Sequence, residues 1–377
     1  MAFQASQTGS RSRKYTRRDL THSPLVVFYE VTQACDLVCL HCRACAQTKS
    51  DPCELSTAEA CLLLDQLTEF PKPPMVVLTG GDPLQRGDID EIVKHGARRG
   101  LKMSITPSAT PLVTLDALRR LRDAGIVRVA VSLDGADEET HDAFRGVRGS
   151  FDRTLEIMLY AQSLGIAVQV NTTVTPTNFR QIDEVADLLA VQDIVLWSVF
   201  FLVPVGRGST LPRLVPEEYE WVFERIWQNS QRQPYAIKTT EAPHYRRFAL
   251  LHDPLPFNDC EKPRARTAVN GSLGINDGKG VMFIGHTGLV FPSGFMPIVC
   301  GVFPLQHVVD IYQRSTLMEA LRTSSRLEGK CGRCEFRNIC GGSRARAYAV
   351  TGNPFAQEPD CVYQPSLAAD PKCIVEA

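Results

Sequence analysis

Residues 31–42 read VTQACDLVCLHC, three thiols on one short stretch, Cys35, Cys39 and Cys42, in the spacing C-x3-C-x2-C. The residues just before, 25–30, are LVVFYE, β-branched and aromatic, so the thiols stand on a loop that leaves a strand. Three thiolates can hold a cubane iron–sulfur cluster while one iron stays without a protein ligand, open to a small molecule with amino and carboxylate groups. The same soft donors suit zinc, with His41 or Cys45 completing the set, and spacing alone leaves both open.

Working outward, the next strand, 75–79, runs into GGDP, residues Gly80, Gly81, Asp82 and Pro83. Glycines at a strand's end let a ligand approach main-chain groups that a β-carbon would block, although such a segment is also an ordinary turn. Strand-like runs at 25–30, 75–79, 102–106, 127–133, 167–174 and 195–201 alternate with helical runs at 57–69, 88–99, 115–124, 151–164 and 179–189. Ser56 and Asn178 stand where N-caps belong. This rhythm predicts an α/β fold, a partial (βα)6 TIM-like barrel with its chemistry at the carboxyl ends of the strands. After a helix at 216–232 the periodicity fades through 254–280, which predicts three parts: a flexible basic tail at 1–22, the barrel at 23–253 and a small domain at 254–377.

That small domain carries one expected helix, 315–323, and too little apolar sequence for a core of its own without a metal. Cys331, Cys334 and Cys340, spaced C-x2-C-x5-C, together with Cys361 give four thiols, a closed set that fits zinc or a coordinatively complete cluster.

Taken together, the three-thiol loop after strand one and the Gly-Gly-acid-Pro segment after strand two resemble the radical S-adenosylmethionine (SAM) superfamily. Asp82 stands where glutamate is commoner. The resemblance implies that Cys35, Cys39 and Cys42 bind a [4Fe–4S] cluster, that SAM chelates its open iron, and that residues 80–83 line the SAM amino group. It further implies cofactor contacts from Ser132, Asp134 and Asn171 at the ends of strands four and five, where a capping turn and buried backbone are the plain alternatives. The sequence TPSAT at 106–110 replaces the Thr-Asn-Gly common at strand three.

The C-terminal cysteines resemble SPASM or twitch extensions, which carry auxiliary iron–sulfur clusters. Ser293 occupies one cysteine position of the full extension, Arg344 the place of the last cysteine, and Ser343 lies where some relatives have cysteine. One auxiliary [4Fe–4S] cluster on Cys331, Cys334, Cys340 and Cys361 is therefore implied. Cys260 and Cys300 offer a degenerate replacement for the missing inner site; Cys45, Cys53, Cys61 and Cys373 have no assigned role. Stretches 141–145, 149–151, 171–174, 206–208 and 331–348 look like the haem and haem d1 biosynthesis branch, which implies a tetrapyrrole substrate whose carboxylate arm loses hydrogen. Arg207, His244 and Arg246 then become candidates to hold the arms, because arginine forks match carboxylates. A ribosomally made peptide is the alternative substrate, and a non-enzymatic zinc module the third reading. The family further implies an external electron donor such as flavodoxin or ferredoxin.

The 377 residues carry 41 Lys and Arg against 42 Asp and Glu, so bulk charge selects neither nucleic acid nor an anionic bilayer. The longest apolar run, 194–205, is broken by Ser198 and Pro204 and falls short of the ~20 residues of a membrane helix. Residues 11–18 are basic without the apolar core of a secretory signal, and 13 cysteines without one suit a reducing compartment. The expectation is a cytoplasmic enzyme.

Overall fold

The computed structural model describes residues 15–252 and 273–366. Its strands are β1 (Val26–Thr32), β2 (Met75–Gly80), β3 (Lys102–Ile105), β4 (Ile126–Ser132), β5 (Ala167–Val174), β6 (Leu196–Phe201), β7 (Ala236–Thr240), β8 (Val281–Ile284), β9 (Leu289–Phe291) and β10 (Gly301–Val302). They form one sheet in the order β10-β9-β8-β1-β2-β3-β4-β5-β6-β7, parallel from β8 through β7, with β9 and β10 antiparallel at one edge. No pairing joins β7 to β10 among the described residues, so the barrel is partial. All six expected strands are present within two residues of the expected bounds. The seventh parallel strand, β7, went unassigned because its alternation is short and half polar.

Alternation decides which face is buried. Val27, Tyr29 and Val31 on β1, Val76 and Leu78 on β2, Val129 and Val131 on β4 and Val168 and Val170 on β5 share one core with the helices. Those helices contribute matching stripes, such as Leu63, Leu64 and Leu67 of Thr57–Leu67 and Leu118 and Leu121 of Leu115–Ala124. At roughly 1.5–3 kcal/mol for each fully buried large aliphatic side chain, this layer is the main source of stability. The opposite, concave face is left for chemistry.

Caps fix where the helices start. Ser56 accepts the Glu59 N–H while the Glu59 carboxylate accepts the Ser56 N–H at 2.8 Å, a reciprocal capping box. Asn178 does not cap. Its Oδ1 accepts the Thr175 N–H and its Nδ2 donates to the carbonyls of Asp134 and Thr173, tying two strand ends together. The helix expected at 179–189 accordingly opens as a 3-10 turn, Phe179–Gln181, before the α-helix Ile182–Ala190.

Residues 19–22, expected within the tail, instead form a short helix (Asp19–His22) whose Leu20 is buried and whose Leu20 carbonyl accepts the Tyr312 hydroxyl. The C-terminal segment likewise feeds the main body: β8 pairs with β1, and Val308, Ile311 and Tyr312 enter the main core. These strands are two to four residues long, too short for periodicity to reveal. The expected helix at 315–323 is Thr316–Arg322. Arg11, Arg13, Lys14, Cys260 and Cys373 lie outside the described residues. No described helix is long and apolar enough to cross a membrane.

Candidate active site

The three-thiol loop lies over the carboxyl end of β1 and is braced from several sides. Cys35 and Cys39 are buried and Cys42 half-buried. Sulfur-directed contacts come from the chain itself: the Leu37 N–H to Cys35 Sγ at 3.4 Å, the Ala46 N–H to Cys42 Sγ at 3.5 Å, and Arg145 Nη1 to Cys39 Sγ at 3.7 Å. Such donors orient the sulfurs and tune whatever they hold. Arg207 was expected to reach substrate. Instead its Nε donates to the Cys39 carbonyl at 3.0 Å, its Nη1 to the Ala46 carbonyl, and its own N–H to the Cys42 carbonyl. A guanidinium with these main-chain partners holds the loop rather than a carboxylate. Gly206, at φ +56°, permits this approach, since a β-carbon there would sit 2.4 Å from the Arg43 carbonyl oxygen.

The glycine pair after β2 has a similar use. The Gly81 N–H donates to the Thr32 carbonyl and the Asp82 N–H to the Ala34 carbonyl, and a β-carbon on Gly81 would meet the Ala34 carbonyl oxygen at 2.3 Å. The close approach expected for a ligand is made here by the cysteine loop's own backbone. Asp82 is buried, and burial raises its carboxyl while the Thr110 hydroxyl, at 2.6 Å, and the N–H groups of Leu84 and Ser108 oppose that shift. Its oxygens therefore shape the turn. Ser108, in the segment that departs from the usual pattern, bridges the site: its hydroxyl donates to the Gly81 carbonyl and lies 3.4 Å from Cys35 Sγ.

Asp134 is fully buried and ion-paired to Arg145, and its Oδ1 accepts the Thr173 N–H at 2.6 Å. Burial pushes its carboxyl up and Arg145 pulls it back. Asp134, Arg145 and Cys39 thus form a chain of charge leading to a sulfur, a role for Arg145 that nothing in the sequence singled out. His141 accepts the Asp134 N–H on Nδ1 at 3.0 Å, so its Nε2 carries the proton and faces Ser150 Oγ. Burial, with Arg145 adding, holds it neutral with a pKa of about 3. Ser132 and Asn171 pair in register at the ends of β4 and β5 on the concave face, and Asn171 Oδ1 accepts Gln169 Nε2 at 2.8 Å. On β1, Glu30 is buried between Arg43 at 3.0 Å and His286 at 2.7 Å. Burial acts to raise it, but these two partners win and hold the carboxyl below its ordinary range.

The remaining arginine and histidine candidates fall elsewhere. His244 is buried against Tyr219 and Phe223 and lines a cavity with Cys331, Cys334, Cys340 and Cys361. Burial holds it neutral. Arg246 Nη1 donates to the Ile339 carbonyl, one residue from Cys340. Both belong to the C-terminal thiol cluster, so their expected grip on a substrate arm gives way to a structural place. Each thiol there accepts a main-chain N–H: Cys331 from Glu358, Cys340 from Gly342, Cys334 from Phe336 and Cys361 from Tyr363. Without metal, burial foremost, with neighbouring thiols adding, pushes Cys334 up to about 11 and Cys340 higher still.

Where a full extension would hold its inner cluster, oxygen ligands meet each other. Ser343 Oγ donates to Glu241 at 2.5 Å, Ser293 bonds Asp277, and the Ala345 N–H donates to Asp277. Arg344 Nη1 binds the carbonyls of Pro354 and Ala356, and Arg346 is buried against Glu358 and Asp360. This network is built from hydroxyl, carboxylate and guanidinium groups and offers no thiolate. Cys300 is half-buried and its Sγ donates to the Ile298 carbonyl.

Three convergent thiols with N–H and guanidinium donors around them are a donor set suited to an iron–sulfur cluster. Buried atoms without partners crowd the same loop: Arg145 Nε, Arg207 Nη2 and His41 Nδ1. The family model for the radical SAM superfamily matches residues 29–189, which span this loop and strands β2 to β5. The AdoMet-dependent heme synthase of Methanosarcina barkeri is 37% identical over 351 residues, 92% of this chain and 98% of that protein. Its namesake from Oleidesulfovibrio alaskensis is 35% identical over 97% of this chain and 95% of its own length. The fold is similar to that of Streptococcus suis SuiB bound to precursor peptide SuiA, with TM-score 0.71, 18% identity, and 91% and 76% of the two chains covered. The chain belongs to the radical SAM superfamily, enzymes built around a [4Fe–4S] cluster and SAM.

Proposed function

We propose that Cys35, Cys39 and Cys42 hold the [4Fe–4S] cluster and that this enzyme removes a hydrogen atom from a propionate arm of an iron porphyrin, after which loss of carbon dioxide leaves a vinyl group and one electron that a one-electron acceptor takes up. The observation that carries the substrate is the 37% identity, over 98% of its length, to a protein named AdoMet-dependent heme synthase. When bound, cluster and SAM supply one electron to the sulfonium and a 5'-deoxyadenosyl radical able to take hydrogen from carbon. The chain's own residues set the stage: Arg207 fixes the loop, Arg145 sets the charge beside Cys39, and Ser108 ties Cys35 to the turn after β2. Residues 80–83, with Ser132 and Asn171 at neighbouring strand ends, would line the SAM site, in keeping with their place beside the cysteine loop and at the carboxyl ends of β4 and β5. Asp134 acts through Arg145.

Cys331, Cys334, Cys340 and Cys361 are proposed to bind one auxiliary [4Fe–4S] cluster, supported by their shared cavity and their four N–H donors. The Glu241, Ser343, Asp277 and Ser293 network supports a count of one. A donor of flavodoxin or ferredoxin type would supply electrons. Membership of the superfamily sets aside the zinc-module reading; the peptide reading has fold likeness and more distant sequence relatives behind it, a PqqA peptide cyclase and a mycofactocin maturase at 26–27% identity. Incubating the reduced, iron-loaded enzyme with SAM and iron coproporphyrin III tests the proposal: carbon dioxide should appear together with 5'-deoxyadenosine. A porphyrin recovered unchanged, with a peptide substrate consumed instead, would overturn it.

A further inference from the structure

Strand alternation divides the concave face of the barrel into two chemically different halves. On β1, β2 and β8, beneath the cysteine loop, the positions facing away from the helices include Phe28, Val77 and Phe283, with the polar Glu30 and Thr79 toward the strand ends. On β4 to β7 they are Arg128, Gln169, Asn171, Ser198 and Lys238, because the intervening Val129, Val168, Val170, Trp197, Val199 and Ile237 are buried in the helix-side core. A patch of Phe28, Val77 and Phe283, edged by Glu30 and its partners Arg43 and His286, therefore faces a side that is richer in polar groups.

The more polar side carries two cations and no matching anion. Register sets Lys238 level with Ser198, and Ser198 level with Asn171. Arg128 Nη1 donates to Gln169 Oε1 at 3.3 Å, and Gln169 Nε2 passes the chain on to Asn171 at 2.8 Å. Lys238 keeps some contact with solvent yet is ringed by protein, as befits a side chain inside an open barrel. Burial, with repulsion from Arg128, lowers its ammonium to about 8, and burial lowers Arg128 as well. Neither has a carboxylate at ion-pair distance among the described residues. Glu30, on the concave face of β1, is already held by Arg43 and His286.

Arg128 starts lower on β4, level with Ala167, and reaches up through Gln169 toward the level of Lys238; two partly desolvated cations that repel one another across one barrel face are costly unless an anion joins them. We infer that Arg128 and Lys238 together bind a carboxylate of the substrate, gripping a propionate arm across the barrel from the one that reacts. The inference rests on the tetrapyrrole reading above and replaces Arg207, His244 and Arg246 as the carboxylate anchors. Guanidinium and ammonium would meet the two carboxylate oxygens. The macrocycle would then lie toward Phe28, Val77 and Phe283, which brings another arm beneath the cysteine loop.

The test is an absorbance titration following the Soret band. Iron coproporphyrin III and its tetramethyl ester would each be added to wild type and to the Lys238→Met, Lys238→Arg and Arg128→Gln variants, all loaded with iron and checked for equal thermal midpoints. The expected result is that Lys238→Met and Arg128→Gln weaken binding of the free acid about tenfold or more, that Lys238→Arg keeps most of it, and that all four proteins bind the ester alike. Equal affinity of every variant for the acid, or equal loss for acid and ester, overturns the inference while leaving the substrate class standing. Failure of wild type to bind the acid at all overturns both.

Discussion

Arg145 and Asp134 form an ion pair beside the cysteine loop in which the carboxylate has few other partners. Asp134 is fully buried, and removing Arg145 leaves its carboxylate uncompensated apart from the Thr173 N–H. Arg145→Met should lower stability by about 3–5 kcal/mol in anaerobic denaturant titrations. Adding Asp134→Asn should recover part of that loss; a double variant as unstable as the sum of the singles would show that the two act independently. Glu241 makes a pH prediction. Burial first, then Asp277, pushes its carboxyl up to about 8, and Asp277 is raised too. Above an ordinary glutamate pKa the unfolded chain has lost this proton while the native state keeps it, so stability falls as pH rises toward 8, by at most ~1.4 kcal/mol per unit for one group. Glu241→Gln should flatten that fall. Thermal midpoints of both proteins at pH 5.5 and 8.5 check it, and parallel slopes would contradict it. None of this was visible in sequence, because a buried acid and a surface acid are spelled alike.

At the scale of elements, the loop and the two turns facing it stand or fall together. Gly81→Ala would set a β-carbon 2.3 Å from the Ala34 carbonyl oxygen, and backbone cannot swing aside as a flexible side chain can. The variant should lose iron after reconstitution and melt at lower temperature than wild type; normal iron content and melting would show that the loop is not held by this approach. The strands and helices were legible because β-branched runs and amphipathic stripes follow the periods of the secondary structure they form. β1 to β6 fall within two residues of their expected bounds for that reason. β7 to β10 were hidden by length, and Asn178 misled because a side chain that can cap can also tie two strands.

For the whole molecule, the sequence displayed the thiols and their spacing but not what surrounds them. Arg207, His244 and Arg246 were read as substrate groups since an arginine on a loop looks available. The fold gives Arg207 to the cysteine loop and the other two to the C-terminal thiols. The outcome for cluster number is countable. Replacing Cys331 and Cys340 by alanine should reduce reconstituted iron from about eight atoms per chain to about four, with the remaining spectrum still perturbed by SAM. Unchanged iron would remove the auxiliary site. The central claim concerns the first three thiols, and its most direct test is 5'-deoxyadenosine released from SAM by the dithionite-reduced enzyme. With Cys39→Ala, whose sulfur receives the Arg145 contact, release should fall to background while the chain stays folded. Release equal to wild type would contradict the account.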